Sequence, residues 1–250
     1  MNLPPFPLLK PALPLAGKPW LLLSLGPSSF IEDRDPLPLA RALAEAGARV
    51  QPGRYPLAPA HPFPAALDAA WAQLQQLAAA RPRGARLGVA GVESGGTLAA
   101  ALALRARDEG LPLGAQILVS PTLDPMLASA AARDAHLGDC QCPLAAGWRG
   151  YLGPSCDAAH PYATPLSTSR LQGLAPALLI TGGARDPLRD DAQRYAERLR
   201  AAGVAQALIP VGGSWLARAG FPPDEQEDPD DGVDAWTPVS QAVRDFLSSA

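Results

Sequence analysis

Apolar runs and helical repeats alternate along most of this 250-residue chain, a pattern that few folds accommodate. The runs predict buried strands at Trp20 to Leu25, Ala48 to Tyr55, Arg86 to Val92, Ala115 to Ser120, Ala177 to Gly182 and Ala205 to Val211. Apolar residues at helical spacing predict helices over Leu37 to Ala46, Pro64 to Ala80, Gly96 to Glu109, Arg189 to Ala202 and Val239 to Leu247. Strands that alternate with helices indicate an α/β fold, in which helices cover both faces of a mostly parallel sheet of six strands.

The alternation stops between Pro121 and Pro176, where the sequence contains no clear strand. A gap of this length inside an α/β domain is typical of an insertion over the carboxyl ends of the strands, where ligands bind. We therefore expect residues 121–176 to form a lid or cap on a single domain that spans residues 1–250. Residues 1–19 are rich in proline and predict an arm before the first strand.

The composition excludes several classes of partner and location. The net charge is −3 and only Lys10 and Lys18 are lysines, so there is no basic stripe for a nucleic acid. No uninterrupted apolar run is long enough to span a membrane. Prolines break the apolar N-terminus and no positive segment precedes it, which makes it a poor signal peptide. An odd number of cysteines, three, agrees with a reducing compartment, and we expect a cytoplasmic protein.

Three blocks of sequence resemble one known family. Residues 52–68 read P-G-R-Y-P-L-A-P-A-H-P-F-P-A-A-L-D. Residues 85–125 contain G-V-E-S-G-G at positions 91–96, between a predicted strand and a predicted helix, and continue through the next predicted strand. Residues 148–190 run from W-R-G-Y-L-G through P-Y-A-T-P-L to P-A-L-L-I-T-G-G-A-R-D-P-L-R-D. Over about residues 18–210 the chain is similar to the hormone-sensitive-lipase-like branch of the α/β-hydrolase carboxylesterases. The resemblance implies an open, mostly parallel sheet with a cap, and ester hydrolysis by a Ser-His-Asp triad.

The nucleophile position of that family is changed in this chain. An ungapped alignment places Glu93 where the family has its serine, and Ser94 at the small residue that follows. A shift by one residue makes Ser94 the nucleophile, but it puts β-branched Val92 at a crowded position of the turn. We expect Glu93 in the turn and keep Ser94 as the alternative. The carboxylate of Glu93 then either faces a water-filled cleft or pairs with an arginine such as Arg185 or Arg218.

The catalytic base of the family has no counterpart at its usual place. The family's histidine follows its acid, but the histidines here are His61, His136 and His160, and none of them follows Asp186. Trp215 or a neighbour stands at the histidine position. A base supplied by His160 from the insertion is the alternative. Without a base, a serine hydroxyl has no group to take its proton at neutral pH.

The turn that binds the oxyanion in the family reads L-G-P-S-S here, from Leu25 to Ser29. Pro27 has no N–H, and the loss of one such donor lowers turnover about 100- to 1,000-fold. Asp186 stands where the family's acid stands, and with no histidine to orient we favour a loop or helix-capping aspartate over a catalytic one. The residues expected to line the remaining cleft are Gly26, Pro27, Ser28 and Trp215.

Compared with the family, this chain has little sequence before its first strand. About nineteen residues precede Trp20, so we expect a reduced N-terminal cap and the loss of the first strands at one sheet edge. An exposed edge requires cover, which the arm or a partner would supply. Members of the family often form dimers, so the resemblance makes a homodimer one of the assemblies that we expect for this chain.

Two clusters of side chains carry weaker hypotheses. Four of the five residues His136, Cys140, Cys142, Cys156 and His160 could close a tetrahedral zinc site, although their spacing matches no zinc motif. A disulfide and unlinked side chains are the alternatives, and we expect no cofactor. Residues 224–234 carry seven acids, which is typical of a solvated loop. Their functional interpretation is a docking surface for a basic protein.

Three functions follow from these observations. The combined change of nucleophile, base and oxyanion turn favours a pseudoenzyme that binds a protein partner or a small ligand, because function resides in the site and not in the fold. The second hypothesis is an enzyme in which Glu93 acts as acid, base or nucleophile on another substrate. The third is a weak carboxylesterase that uses Ser94.

Overall fold

A six-stranded parallel sheet forms the centre of the molecule. The computed structural model describes residues 6–138, 142–154, 158–211 and 236–249, and for Arg185 the backbone alone. The strands are Trp20–Leu25 (β1), Arg49–Pro52 (β2), Arg86–Val92 (β3), Ala115–Val119 (β4), Ala177–Thr181 (β5) and Gln206–Pro210 (β6). Their order across the sheet is β2-β1-β3-β4-β5-β6, and each pair of neighbours is parallel. The predicted mostly parallel sheet of six strands is therefore confirmed.

The second strand is shorter than the sequence predicts, because it ends at Pro52 rather than at Tyr55. The N–H of Gly53 still bonds to the Ser24 carbonyl of β1, at 2.8 Å. The N–H of Arg54 donates instead to the side-chain oxygen of Gln73, at 3.1 Å. A side chain of the following helix thus replaces the sheet as acceptor, and the backbone leaves the sheet there.

Seven helices are described around the sheet: Leu37–Glu45 (α1), Ala65–Ala80 (α2), Ser94–Asp108 (α3), Ala130–Asp134 (α4), Pro143–Leu152 (α5), Arg189–Ala201 (α6) and Thr237–Ser249 (α7). Short 3-10 helices lie at Pro165–Ser167 and Gly183–Arg185. Right-handed crossovers place α1 and α2 on opposite faces, because β1-α1-β2 and β2-α2-β3 run in opposite directions across the sheet. Within the described ranges, none of these helices has the length and apolar character to cross a membrane.

The direction of the chain across the sheet reverses at β1 and β3. β1 leads to β2 at the sheet edge, whereas β3 leads to β4 in the opposite direction. The segments that leave these two neighbouring strands therefore diverge and leave a crevice at the carboxyl ends of the strands. Ligands of open α/β sheets bind at such switch points. The loop at residues 26–36 and the turn at residue 93 border this crevice.

The insertion at residues 121–176 packs over the loop that follows β1. It contains α4, α5 and the 3-10 helix at 165–167, and no strand among its described positions. A Cβ atom on Gly147 of α5 would stand 1.7 Å from the carbonyl oxygen of Ser29, so only glycine permits this approach. The rings of Phe30 and Tyr151 stack with centres 4.2 Å apart. Part of the insertion thus packs on the loop that borders the crevice, and its action as a lid stays a prediction.

The N-terminal arm covers the edge strand β2. Leu9 and Val50 exchange two backbone hydrogen bonds, of 2.8 and 3.0 Å, in an antiparallel bridge. The side-chain amide of Gln51 also donates to the Phe6 carbonyl, at 2.8 Å. The sequence predicted that the arm or a partner would cover this edge, and along these residues the arm pairs with it.

Asp191, in the first turn of α6, anchors the start of the insertion. Its Oδ2 accepts the N–H groups of Leu123 and Asp124, each at 2.9 Å. Burial raises the pKa of the Asp191 carboxyl to about 6, although these two hydrogen bonds oppose the shift. The carboxyl therefore holds its proton more tightly in the folded protein than in the unfolded chain.

Replacing this buried acid should change how stability depends on pH. The free energy that Asp191 contributes to folding is fully present below its unfolded pKa of 3.8 and is lost as pH rises through about 6. Asp191→Asn should remove that decline and stabilise the protein at neutral pH by on the order of 1 kcal/mol, because an amide avoids the burial of a charge. Urea unfolding of both proteins at acidic and neutral pH measures the difference. Parallel pH profiles would contradict the prediction.

Candidate functional site

The turn between β3 and α3 has the backbone of a nucleophile elbow, with Glu93 at its apex. Glu93 has φ 56° and ψ −118°, a combination that side chains seldom adopt. Gly91 and Gly95 flank it at two residues on either side. A Cβ atom on Gly91 would lie 2.0 Å from the Gly95 carbonyl oxygen, and one on Gly95 would lie 2.3 Å from that of Leu25. The spacing G-x-E-x-G therefore centres the turn on the glutamate.

Ser94 holds the neighbouring loop rather than standing at the apex of the turn. It is the first residue of α3 and is fully buried. Its Oγ accepts the N–H of Ser28 at 3.0 Å and also lies 3.0 Å from the Ser28 Oγ. Both contacts tie the start of α3 to the loop after β1.

The Glu93 carboxylate binds groups of that same loop. Its Oε1 accepts the N–H of Ser29 at 2.6 Å, and its Oε2 lies 3.2 Å from Nη1 of Arg34. Burial raises the pKa of the Glu93 carboxyl, whereas the Arg34 charge and the backbone N–H groups of Ser29 and Ser94 lower it. An oxyanion hole at this kind of elbow uses the N–H of the residue after the nucleophile and an N–H from the neighbouring loop. The carboxylate thus takes the donors that a bound oxyanion would need.

The other N–H groups of the loop after Pro27 are also used inside the protein. The N–H of Ser28 donates to the Ser94 hydroxyl and the N–H of Phe30 to the Ser28 hydroxyl, each at 3.0 Å. The N–H of Ser29 donates to the elbow carboxylate. Pro27 itself has no N–H. Three consecutive donors of this turn therefore have acceptors from the protein's own side chains.

Arg34 is a site residue that the sequence did not reveal. The expected partners of Glu93 were Arg185 and Arg218, but the side chain of the first and all of the second lie outside the described residues. Arg34 faces Glu93, and its Nε also donates to Oε2 of Glu32 at 2.6 Å. Its position in the loop after β1, at the switch point of the sheet, is the signal that could have identified it.

An open cavity of about 610 Å³ lies beside the loop after β1. Three of the predicted cleft residues, Gly26, Pro27 and Ser28, line it. The Tyr55 hydroxyl lies 2.8 Å from the Gly26 carbonyl oxygen and 3.0 Å from the Ser28 Oγ, and burial raises the pKa of Tyr55 to about 12. The fourth predicted residue, Trp215, lies outside the described residues.

Asp186 holds the loop between β5 and α6. Its Oδ2 accepts the Ser120 hydroxyl and, at 2.9 Å, the N–H of Gly182, while its Oδ1 accepts the N–H of Leu188 at 2.8 Å. Burial raises the pKa of the Asp186 carboxyl against these hydrogen bonds. The N-cap residue of α6 is Leu188, so Asp186 is a loop aspartate rather than the cap itself.

None of the three histidines is among the described hydrogen-bond partners of this acid. His61 is exposed at the cavity wall, and His136 is exposed after α4. His160 lies against the ring of Tyr162, and its Nδ1 accepts the Tyr162 N–H at 3.2 Å. Among the described contacts of Asp186, none comes from a histidine.

The predicted metal cluster is only partly described. Cys140 and Cys156 lie outside the described residues, as does the acidic segment 224–234. Cys142 is a free, half-buried thiol just before α5. Within the described ranges, no group of three or more His, Cys, Asp or Glu side chains is placed to hold a metal ion.

Comparison with known proteins identifies the family of the chain. A family model described as alpha/beta hydrolase fold matches residues 34–216. Esterase LipI of Mycobacterium tuberculosis is 43% identical over 171 residues, which are 62% of this chain and 52% of LipI. Gibberellin receptor GID1A of Arabidopsis thaliana is 29% identical over 166 residues, which are 62% of this chain and 48% of the receptor. The chain thus spans about half the length of these relatives.

Solved structures agree with the sequence relatives. A hormone-sensitive lipase from a metagenome library superposes on this structure with a TM-score of 0.73 at 26% identity, over 94% of this chain and 79% of the lipase. The family model covers well over half of the chain, and the elbow lies within the matched range. This protein therefore belongs to the hormone-sensitive-lipase-like alpha/beta hydrolase fold-3 family.

Proposed function

We propose that this chain does not hydrolyse esters through a serine and instead uses the family fold to bind a small ligand. The observation that carries the proposal is the position of the Glu93 carboxylate. It accepts the Ser29 N–H and faces Arg34, where an ester hydrolase keeps donors for the oxyanion. A substrate carbonyl that entered the crevice would meet a carboxylate in place of those donors.

A developing oxyanion would also be repelled by this arrangement. Two negative groups within a buried site disfavour each other, and the Arg34 charge that could offset one of them already faces Glu93. The loss of one oxyanion donor alone lowers turnover about 100- to 1,000-fold. The occupied oxyanion site should therefore lower ester turnover whatever the identity of the nucleophile.

A serine hydrolase also needs a general base, usually a histidine, beside its nucleophile. General-base help is typically worth about 100- to 10,000-fold in rate. Asp186 is bound by Ser120 and two loop N–H groups, and no histidine follows it in the sequence. Ser94 is fully buried and bonded to Ser28, which further supports a structural role for its hydroxyl.

The names of the relatives leave room for both activity and binding. LipI is named an esterase, and GID1A is named a receptor. The receptor name supports binding as a role that this family can serve. The open cavity of about 610 Å³ favours a small ligand, because ligand pockets typically measure roughly 300 to 1,000 Å³. A protein partner for residues 224–234 rests on the acidic sequence alone.

Serine chemistry is tested with a fluorophosphonate probe and with turnover of a short-chain p-nitrophenyl ester. We expect no labelling and no turnover above the uncatalysed rate, because the oxyanion donors are occupied. Ser94→Ala is the matched variant and should behave as the parent protein does. Labelling or turnover that disappears in Ser94→Ala would contradict the proposal and favour the weak-esterase hypothesis.

The altered chemistry of Glu93 is the second candidate function. Its support is the buried carboxyl with a raised pKa at the apex of a strained turn, a combination that suits proton transfer. Turnover of lactones, amides or thioesters that Glu93→Gln abolishes and Ser94→Ala preserves would favour this candidate over binding. We expect no turnover of these substrates by the parent protein or by either variant.

A further inference from the structure

Arg54, in the wall of the cavity, is a cation that forms no ion pair with the described residues. The backbone of Arg54 is held by the Gln73 side chain through its N–H and its carbonyl. The guanidinium carbon lies 4.2 Å from the centre of the Phe6 ring, which also lines the cavity. Stacking on an aromatic ring holds a guanidinium in place without consuming its N–H donors.

The donors of this guanidinium have no acceptor among the described residues. The Nε of Arg54 is buried and lacks a hydrogen-bond partner there, and no described carboxylate forms an ion pair with the side chain. A buried donor without an acceptor costs about 1 to 3 kcal/mol, so the Nε requires an explanation such as an internal water or ion. The donors of Arg54 that a ligand in the cavity can reach are therefore its two terminal amino groups rather than the buried Nε.

The remaining charged groups of the cavity differ from Arg54. Arg34 binds Glu32 and Glu93, so its charge and that of Glu32 are already matched. Asp33 and His61 also line the cavity, and both are exposed. Because the exposed acid Asp33 also lines the cavity, a ligand with two negative charges would be disfavoured relative to one with a single charge.

The rest of the lining is largely apolar. Pro27, Pro36, Pro56, Leu57 and Ala58 contribute to it. Such a surface suits a hydrocarbon or aromatic body, while the guanidinium fork matches the two oxygens of a carboxylate. We infer that the cavity binds a small organic carboxylate with an apolar body, and that Arg54 receives the carboxylate. This inference rests on the proposed binding function and names the chemical class of its ligand.

Calorimetric titration with phenylbutyrate and its uncharged twin phenylbutyramide tests the inference on the whole chain. The parent protein should bind the carboxylate about tenfold or more tightly than the amide, because hydrogen bonds to charged groups exceed neutral ones in strength. Arg54→Gln should remove this preference by weakening carboxylate binding far more than amide binding. Arg54→Lys should retain part of it, since the charge remains but the fork is lost.

Arg200→Gln, on the exposed side of α6, is the matched control and should leave both affinities unchanged. Equal binding of the two probes, an Arg54→Gln variant that keeps the preference, or no binding of either probe would overturn the inference. The proposed function fails by a different result, namely serine labelling with ester turnover. Preferential binding of the carboxylate without ester turnover supports both the proposed function and the carboxylate inference. Ester turnover together with preferential binding of the carboxylate contradicts the proposed function alone.

Discussion

Gly95→Ala is expected to lower the free energy of unfolding by about 3 kcal/mol or more. The added methyl group would stand 2.3 Å from the carbonyl oxygen of Leu25 and 2.5 Å from that of Gly26. The first oxygen belongs to the last residue of β1 and the second to the residue that follows it. β1 pairs with β2 on one side and β3 on the other, so this backbone has little room to move. Overpacking of this kind typically costs about 1 to 3 kcal/mol, and the cost is higher when backbone must shift.

Gly138→Ala provides the matched control, because no atom lies within 4 Å of a Cβ built at that position. Its effect should stay within about 0.5 kcal/mol, as for most surface substitutions. Urea unfolding followed by tryptophan fluorescence measures both variants. If they have equal midpoints and slopes, the crowded elbow geometry is wrong, and with it the assignment of Glu93 to the apex.

The fold could be predicted from sequence because the central strands of its sheet are buried on both faces. β1, β4 and β5 are buried along their whole length, so their apolar runs stand out from the alanine-rich helices. The bounds of β1 and β3 agree with the prediction to the residue. The end of β2 could not be predicted, because it depends on Gln73, a side chain of the following helix, as an alternative acceptor.

The position of the candidate site could be predicted from the sequence, but the contacts between its residues could not. Glu93 and Asp186 were identified by the resemblance to the family, which places them at the positions of its nucleophile and its acid. The partners of Glu93 depend on how the loop after β1 folds back, which brings Ser29 and Arg34 to it across about sixty positions of sequence. No local pattern encodes that contact, since it arises only when β1 and β3 become neighbours in the sheet.

Arg34→Met should destabilise the protein by about 3 kcal/mol at neutral or alkaline pH. The Glu93 side chain is 3% exposed, so its charge would remain buried with one counter-charge removed. Breaking a buried ion pair costs about 3 to 5 kcal/mol, and the lower end applies because Arg34 is one quarter exposed. Glu32→Gln is the control: it removes the other, 40% exposed partner of Arg34 and should cost less than about 1 kcal/mol.

The pH dependence separates this electrostatic cost from a simple loss of packing. The pKa of the Glu93 carboxyl is already raised in the folded protein, and removal of Arg34 raises it further. The cost of Arg34→Met is therefore greatest where the carboxyl is ionised and fades as pH falls and the group takes up its proton. In a Glu93→Gln background, Arg34→Met should show no such pH dependence and a smaller effect on urea unfolding. Arg34→Met could also cost the same at all pH values in both backgrounds. That result would mean that Arg34 stabilises the loop by packing, and that its charge does not stabilise the buried Glu93 carboxylate.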